Sequence, residues 1–271
     1  MAPQRRRLDA ELVRRKIARS REQAVQMIKA GRVYVGGFQA AKPATVVDPE
    51  VSIRVEESPE DQWASRGAHK LLGALEAFDV PLEGQRVLDA GASTGGFTDV
   101  CLSRGAKEVV AVDVGYGQLL WRLQNDPRVT VLDRTNIRNL TPEMTGGPLD
   151  VAVGDLSFIS LRLVLPAIVS CMRESATLLP MVKPQFEVGK DRLGQGGVVR
   201  SPHLRVETTL GVAQFAETLG LSCQGIAASP LPGPSGNVEY FLHLVLDQGR
   251  SRMSEQELEA AVKRAIEEGP E

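Results

Sequence analysis

The stretch 86–114, RVLDAGASTGGFTDVCLSRGAKEVVAVDV, constrains this chain more than any other. Val87 and Leu88 form a short apolar run that ends in Asp89, and a turn of small residues follows, Gly91-Ala92-Ser93-Thr94-Gly95-Gly96. The pattern predicts a helix over 97–104, opening at Phe97, then a second apolar run over 109–112 that ends in Asp113. A strand–turn–helix–strand unit with an acid about twenty residues past the turn is the layout of a nucleotide-type pocket. Glycine at such a turn lets the backbone approach a ligand with no side chain in the way. Asp113, at the tip of the second strand, is placed to accept hydrogen bonds from a ribose diol.

Charge narrows the ligand. A dinucleotide turn carries Gly-x-Gly-x-x-Gly, with glycine where the pyrophosphate meets the helix start. Here Ser93 stands at the second glycine position, and Asp89 ahead of the turn would repel a phosphate. The same acid suits an ammonium, so the cationic, phosphate-free S-adenosylmethionine is favoured over NAD or ATP. The expected cofactor contacts are Asp89, Gly91, Ser93, Gly95, Gly96, Phe97 and Asp113, with Asp133 and Asn136 after the next strand flanking an adenine and Asp155 just past the carboxyl end of a fourth strand. Gly91-x-Ser93-x-Gly95 also fits a nucleophile elbow. That elbow needs a later acid and histidine and normally follows several strands, whereas only His203 and His243 lie downstream and this unit begins the sheet.

A chain of 271 residues has room for one α/β domain of about 200 residues and a small accessory module. Cys101, Cys171 and Cys223 are widely spaced and odd in number, which argues against disulfides and zinc and for a reducing, cytoplasmic setting. No signal peptide and no membrane-spanning run is expected. Net charge is only −2, yet residues 1–42 hold eleven Arg or Lys against Asp9, Glu11 and Glu22. Of the 32 basic and 34 acidic residues in total, 21 and 31 remain for the rest. Such asymmetry marks a segment that meets a polyanion.

That segment reads as a small α+β module over 1–58. Leu8 and Leu12, with Val13 and Ile17, share a helical face; Ser20 with Gln23 forms a capping-box pattern for a second helix that buries Ala24, Val25 and Ile28 and stops at Gly31. A hairpin turning at Gly36-Gly37 and short strands near 45–47 and 51–55 follow. Arg5, Arg7, Arg14, Arg15, Lys16, Arg19, Arg21, Lys29 and Arg32 are the candidate phosphate contacts, with too few acids nearby to balance them. Ser20-Arg21, Ala24 and Ile28-Lys29-Ala30-Gly31-Arg32-Val33 resemble an S4 domain, which implies structured RNA as partner.

An acidic linker over 59–65 leads to a domain over 66–271. Its first helix turns Leu71, Leu72, Leu75 and Phe78 to the core and places Lys70 on another face. Strands are predicted over 129–132, 149–153, 176–182, 221–227 and 239–246, and helices over 161–172, 201–219 and 254–267. The loop 185–199 reads as either a substrate-gripping lid or a disordered connection. Lys70, Asp155, Lys183 and Glu239 recur at tips or beginnings of these elements. Two lysines and two acids in one crevice suit the deprotonation of a reluctant hydroxyl, with Lys183 as base, Asp155 orienting it and the other lysine steadying the oxyanion. The methyl donor supplies the activated group, and this chemistry needs no metal.

Residues 64–246 resemble the FtsJ-type ribose methyltransferases, whose Lys-Asp-Lys-Glu tetrad matches Lys70 in SRGAHKL, Asp155 in GDLSF, Lys183 in VKPQFE and Glu239 in GNVEYF. With the S4-like module in front, the whole is similar to the TlyA family, sometimes labelled haemolysins. The resemblance implies a Rossmann-like α/β methyltransferase fold and 2′-O-methylation of cytidine in ribosomal RNA or ribosomal subunits. A base methyltransferase and a non-catalytic ribosome-assembly factor are the alternatives; a membrane-lytic protein would need an amphipathic or apolar stretch that is not evident. Monomer and homodimer are left open.

Overall fold

Leu8 and Leu12 lie four residues apart and face the same way, and around them a short helix, α1 (Leu8–Arg14), closes over a small core. In the computed structural model the described residues are 5–18, 20–56, 62–233, 235–247 and 249–270. The chain divides into two compact units, Met1–Gln62 and Trp63–Glu271.

In the first unit, β1 (Arg6–Arg7) precedes α1, and α2 (Arg21–Lys29), β2 (Val33–Val35), β3 (Phe38–Gln39), β4 (Val46–Val47) and β5 (Ile53–Val55) follow. The Ser20 side chain accepts from the Gln23 N–H at 3.1 Å and so caps α2. α1 ends earlier than its apolar spacing predicts, because Lys16 turns to φ 58° and the Ile17 and Ala18 N–H groups both return to the Leu12 carbonyl. α2 buries Ala24, Met27 and Ile28, whereas Val25, expected inside, is only half-buried. The i, i+3, i+4 stripe therefore runs one residue away from the expected one. β2 pairs antiparallel with β3 and β5, turning through Gly36 and Gly37 at φ 57° and 89°.

Asp9 and Glu11 correct the charge reading of this unit. Both are buried, and each carboxylate grips two guanidiniums. Asp9 takes Arg7 at 2.8 Å and Arg21 at 3.1 Å; Glu11 takes Arg14 at 2.6 Å and Arg15 at 2.7 Å. The arginine hydrogen bonds pull both carboxyls down to about 2. Few acids serve many bases, so several of the arginines are held in place rather than loose.

The second unit is built on one seven-stranded sheet, ordered β11-β12-β10-β9-β6-β7-β8. Its elements in chain order are α3 (Gly67–Phe78), β6 (Arg86–Ala90), α4 (Gly96–Ser103), β7 (Glu108–Val112), α5 (Trp121–Gln124), β8 (Val129–Leu132), β9 (Leu149–Gly154), α6 (Leu165–Ser170), β10 (Met172–Val182), α7 (Pro184–Glu187), α8 (Pro202–Thr218), β11 (Ser222–Ala228), β12 (Tyr240–Leu246) and α9 (Glu255–Glu267). β10, β9, β6, β7 and β8 run parallel, and β12 runs antiparallel to both of its neighbours. Alternate residues feed separate cores: Leu88, Val110, Ala152 and Leu178 join one, Val87, Val109, Val151 and Leu179 the other. That period-two split is why these strands read as near-continuous apolar runs.

The helix predicted over 161–172 is shorter than its pattern suggests. A 3-10 turn (Leu161–Leu163) precedes α6, and Met172 already belongs to β10, which continues through an irregular step at Ser175 (φ 66°). Pro166 sits in the first turn of α6, where its missing N–H is tolerated. The segment 185–199 is built from α7 and 3-10 turns at Lys190–Arg192 and Gln195–Gly197. Residues 57–61, which include the first three of the expected linker, and Arg19 lie outside the described residues. Ala64, at the linker's far end, is buried in the second unit and donates its N–H to Asp99 at 2.7 Å.

Candidate active site

β6 and β9 are neighbours, but the chain leaves β6 toward β7 on one side and returns to β9 on the other. Open α/β sheets bind ligands at such a reversal, outside the carboxyl ends of the strands. A crevice of about 340 Å³ lies there, lined by Ser65, Arg66, Gly67 and Lys70 from the start of α3, the turn after β6, and Asp155, Ser157 and Lys183 beyond β9 and β10. Its volume falls in the range of small-molecule sites, roughly 300–1,000 Å³.

Backbone proximity explains the glycines of the turn. Gly91 has φ 87°, and a Cβ there would lie 3.0 Å from the Asp155 carbonyl oxygen. At Gly96 a Cβ would come within 2.3 Å of Ser65 Oγ, so only glycine lets the start of α4 sit against the start of α3.

Sequence-distant side chains meet at this edge. The Lys70 ammonium donates to Glu239 Oε2 at 2.5 Å and lies 3.8 Å from Asp155 Oδ2. Lys183 Nζ lies 2.5 Å from Asp155 Oδ1 and 3.9 Å from Glu239 Oε1. The result is a closed ring of alternating charge, each lysine with one near and one far carboxylate. Lys70 is 4% exposed, Lys183 6% and Glu239 1%; Asp155, with its side chain 24% exposed, is the open member. Burying such a ring gains little stability, because desolvation offsets the Coulomb attraction. Topology explains Glu239: β12 enters the sheet where its parallel neighbours leave it, so the residue ahead of Tyr240 reaches the edge that holds Asp155 and Lys183.

Other expected contacts sit elsewhere. Asp89 is wholly buried and absent from the crevice lining, with Oδ2 accepting the Thr98 N–H at 2.8 Å and its hydroxyl at 2.6 Å. Burial raises its carboxyl to about 7, against the lowering effect of those hydrogen bonds. Asp113 does end β7, where its carboxylate accepts the N–H groups of Ser93 and Gly115 at 2.8 and 2.7 Å. Asp133 accepts the Gly117 N–H, and Asn136 caps the 3-10 turn Ile137–Asn139; neither lines the crevice. Phe97 reaches the crevice wall but packs against Phe241, with ring centroids 6.1 Å apart. Gly91, Ser93 and Gly96 line the crevice, and Gly95 (φ 99°) sits behind it.

Sequence reasoning missed Ser65, Arg66, Gly67, Ala92, Thr94 and Ser157 as lining residues. Ser157, two residues past Asp155 in GDLSF, could have been found from its place beyond a strand end. In the first unit, Arg5 pairs with Asp48 and Arg32 donates to the Glu56 carbonyl, while Lys16 and Lys29 are exposed. Among the described residues, no three His, Cys, Asp or Glu converge as a metal site, and no helix is long and apolar enough to cross a membrane.

Comparison with known proteins matches this architecture. Residues 63–246 match the FtsJ-like methyltransferase family and residues 6–53 the S4 domain. The chain is 60% identical to the 16S/23S rRNA (cytidine-2′-O)-methyltransferase TlyA of Mycobacterium tuberculosis, over 97% of this chain and 98% of that one. It is 33% identical to Hemolysin A of Brachyspira hyodysenteriae, over 89% of this chain and all of that one. A solved structure from Streptococcus thermophilus superposes with a TM-score of 0.75 at 35% identity, covering 99% of this chain and 98% of the other. With a family match across most of its length and a parallel sheet that carries the crevice, the chain belongs to the FtsJ-like methyltransferases and bears an S4 domain ahead of the catalytic fold.

Proposed function

We propose that this protein is an S-adenosylmethionine-dependent methyltransferase that modifies a ribose 2′-hydroxyl of ribosomal RNA, at cytidine. The observation that carries the reading is the ring of Lys70, Asp155, Lys183 and Glu239 at the rim of a crevice floored by the glycine turn. The residues suit the cofactor: the crevice has the volume, Gly91 leaves its floor bare, and Asp113 ends the neighbouring strand.

When bound, the cofactor would supply an activated methyl group on a cationic sulfur, with the neutral thioether as its leaving group. The chain's own residues manage the hydroxyl. Lys183 Nζ takes the proton, Asp155 holds that nitrogen at 2.5 Å, and Lys70, tied to Glu239, steadies the charge developing on oxygen. The arginine-rich first unit supplies a phosphate-binding surface that is indifferent to sequence, and the crevice supplies selectivity. Its setting is then the cytoplasm, where ribosomes are.

The test is methyl transfer to ribosomal subunits from cells lacking this protein, followed by digestion of the RNA to nucleosides. The expected product is 2′-O-methylcytidine. A methyl group on the base, or no transfer by folded protein, overturns the reading.

A further inference from the structure

We propose that Ser157 is a positioning residue for Lys183, its hydroxyl acting with Asp155 to aim the amine's lone pair into the crevice. This rests on the reading of Lys183 as the proton acceptor. A lysine that accepts a proton does so as a neutral amine, with two N–H donors and one lone pair. Lys183 Nζ has two short contacts: Asp155 Oδ1 at 2.5 Å and Ser157 Oγ at 2.8 Å. Ser157 takes one N–H in a hydrogen bond, and Asp155 is the nearest carboxylate for the other. The lone pair is left with the remaining directions, and turning it to Glu239 Oε1, 3.9 Å away, would set it against carboxylate lone pairs. Lys183, Asp155 and Ser157 all line the crevice, the place where a lone pair turned from both carboxylates would meet a substrate hydroxyl.

Asp155 alone would not hold the nitrogen there. Glu239 Oε1 and Asp155 Oδ1 are both buried, and neither has a hydrogen-bond partner among the described residues. The two carboxylates therefore compete for the Lys183 N–H groups, and the Ser157 hydroxyl, which takes a hydrogen bond from Lys183 at 2.8 Å, decides that competition toward Asp155 and the crevice. The backbone is shaped to keep it in place. Phe158, next in sequence, holds φ 64°, a costly conformation for a bulky residue. Its ring rests on Phe186 at 5.1 Å between centroids. Beyond it, Ser160 Oγ and the Leu161 N–H donate to Glu187 at 2.6 and 2.7 Å. The segment carrying Ser157 is thus pinned to α7, which begins directly after Lys183.

Wild type, Ser157→Ala and Ser157→Thr are compared by single-turnover methyl transfer on the same undermethylated ribosomal subunits, by calorimetry with S-adenosylmethionine, by melting temperature and by crystallography. Misplacing a base by about an ångström costs on the order of a hundredfold. Ser157→Ala should accordingly slow the transfer step about tenfold to a hundredfold, with cofactor affinity, KM for the subunits and melting temperature unchanged. Its crystal structure should show Lys183 Nζ moved toward Glu239 Oε1, and Ser157→Thr should restore both rate and position. Wild-type rate in Ser157→Ala, an effect confined to KM or cofactor affinity, or a threonine variant as slow as alanine at unchanged melting temperature overturns the proposal. An inactive wild type would instead sink the functional reading on which it rests.

Discussion

The two units treat buried carboxylates in opposite ways. In the first, Asp9 and Glu11 are each gripped by two arginines and brought down to about 2. In the second, Asp89 lies much deeper with only Thr98 as donor, and burial pushes it up to about 7. The residue type is the same in Asp9 and Asp89; guanidinium partners hold the first down, and loss of water around the second raises it. Asp155 and Glu239 have lysines as partners instead. An arginine stays charged and fixes a shape, while a lysine can give up its proton to chemistry. The contrast separates ion pairs that build the RNA-facing module from those that could act on a hydroxyl.

Three substitutions would break or sharpen that contrast. The largest effect is expected for Lys183→Ala, which should lower methyl transfer by about 10²- to 10⁴-fold while the protein stays folded. Residual transfer near wild type, with a large drop in melting temperature, would make this lysine structural like the arginines. Next is Glu11→Ala. Removing the carboxylate that Arg14 and Arg15 share should destabilise the first unit by about 3 kcal/mol, read as a lower urea midpoint. An unmoved midpoint would mean that the arginines are held by other contacts.

The smallest effect is a pH dependence with opposite signs in the two units. Asp9 and Glu11 have folded values of about 2 against ordinary values of 3.8 and 4.5. Their contribution is complete above the ordinary values and is lost as pH falls toward 2. Asp89, raised from 3.8 to about 7, does the reverse. From about pH 4 upward the folded state keeps a proton that the unfolded chain has released, so stability falls as pH rises toward 7. Asp89→Asn should remove this slope, and its urea midpoint relative to wild type should climb between about pH 4 and 7 and level off above. Parallel curves for the two proteins would show that Asp89 ionises normally.

Local pattern made much of this legible. The strand, turn, helix and strand around Gly91 could be read directly, because apolar runs bounded by glycine and acid leave few other folds. Lys70, Asp155 and Lys183 could be singled out because each sits beside an element's end. Glu239 was the weakest of the four from pattern alone, since it simply begins a strand; its place at the edge comes from the reversed direction of β12, which no local pattern encodes. Strands as short as β1 and β3 have two residues, too few for alternation to register. The pairing of Asp9 and Glu11 was hidden for another reason: counting charges says nothing about which carboxylate is buried between two arginines. The partner of Asp89 was hidden likewise, because the Thr98 groups it accepts from lie nine residues further on.

The contact between Lys70 and Glu239 spans 169 positions of the chain. A nascent polypeptide therefore lacks a complete charge ring until nearly its last strand has left the ribosome. Growing chains released early, or products clipped ahead of β12, would keep the glycine turn and Asp113 yet lack one corner of the ring. Because β12 also lies between β11 and β10, such fragments lose the strand that ties β11 to the sheet together with that corner of the ring.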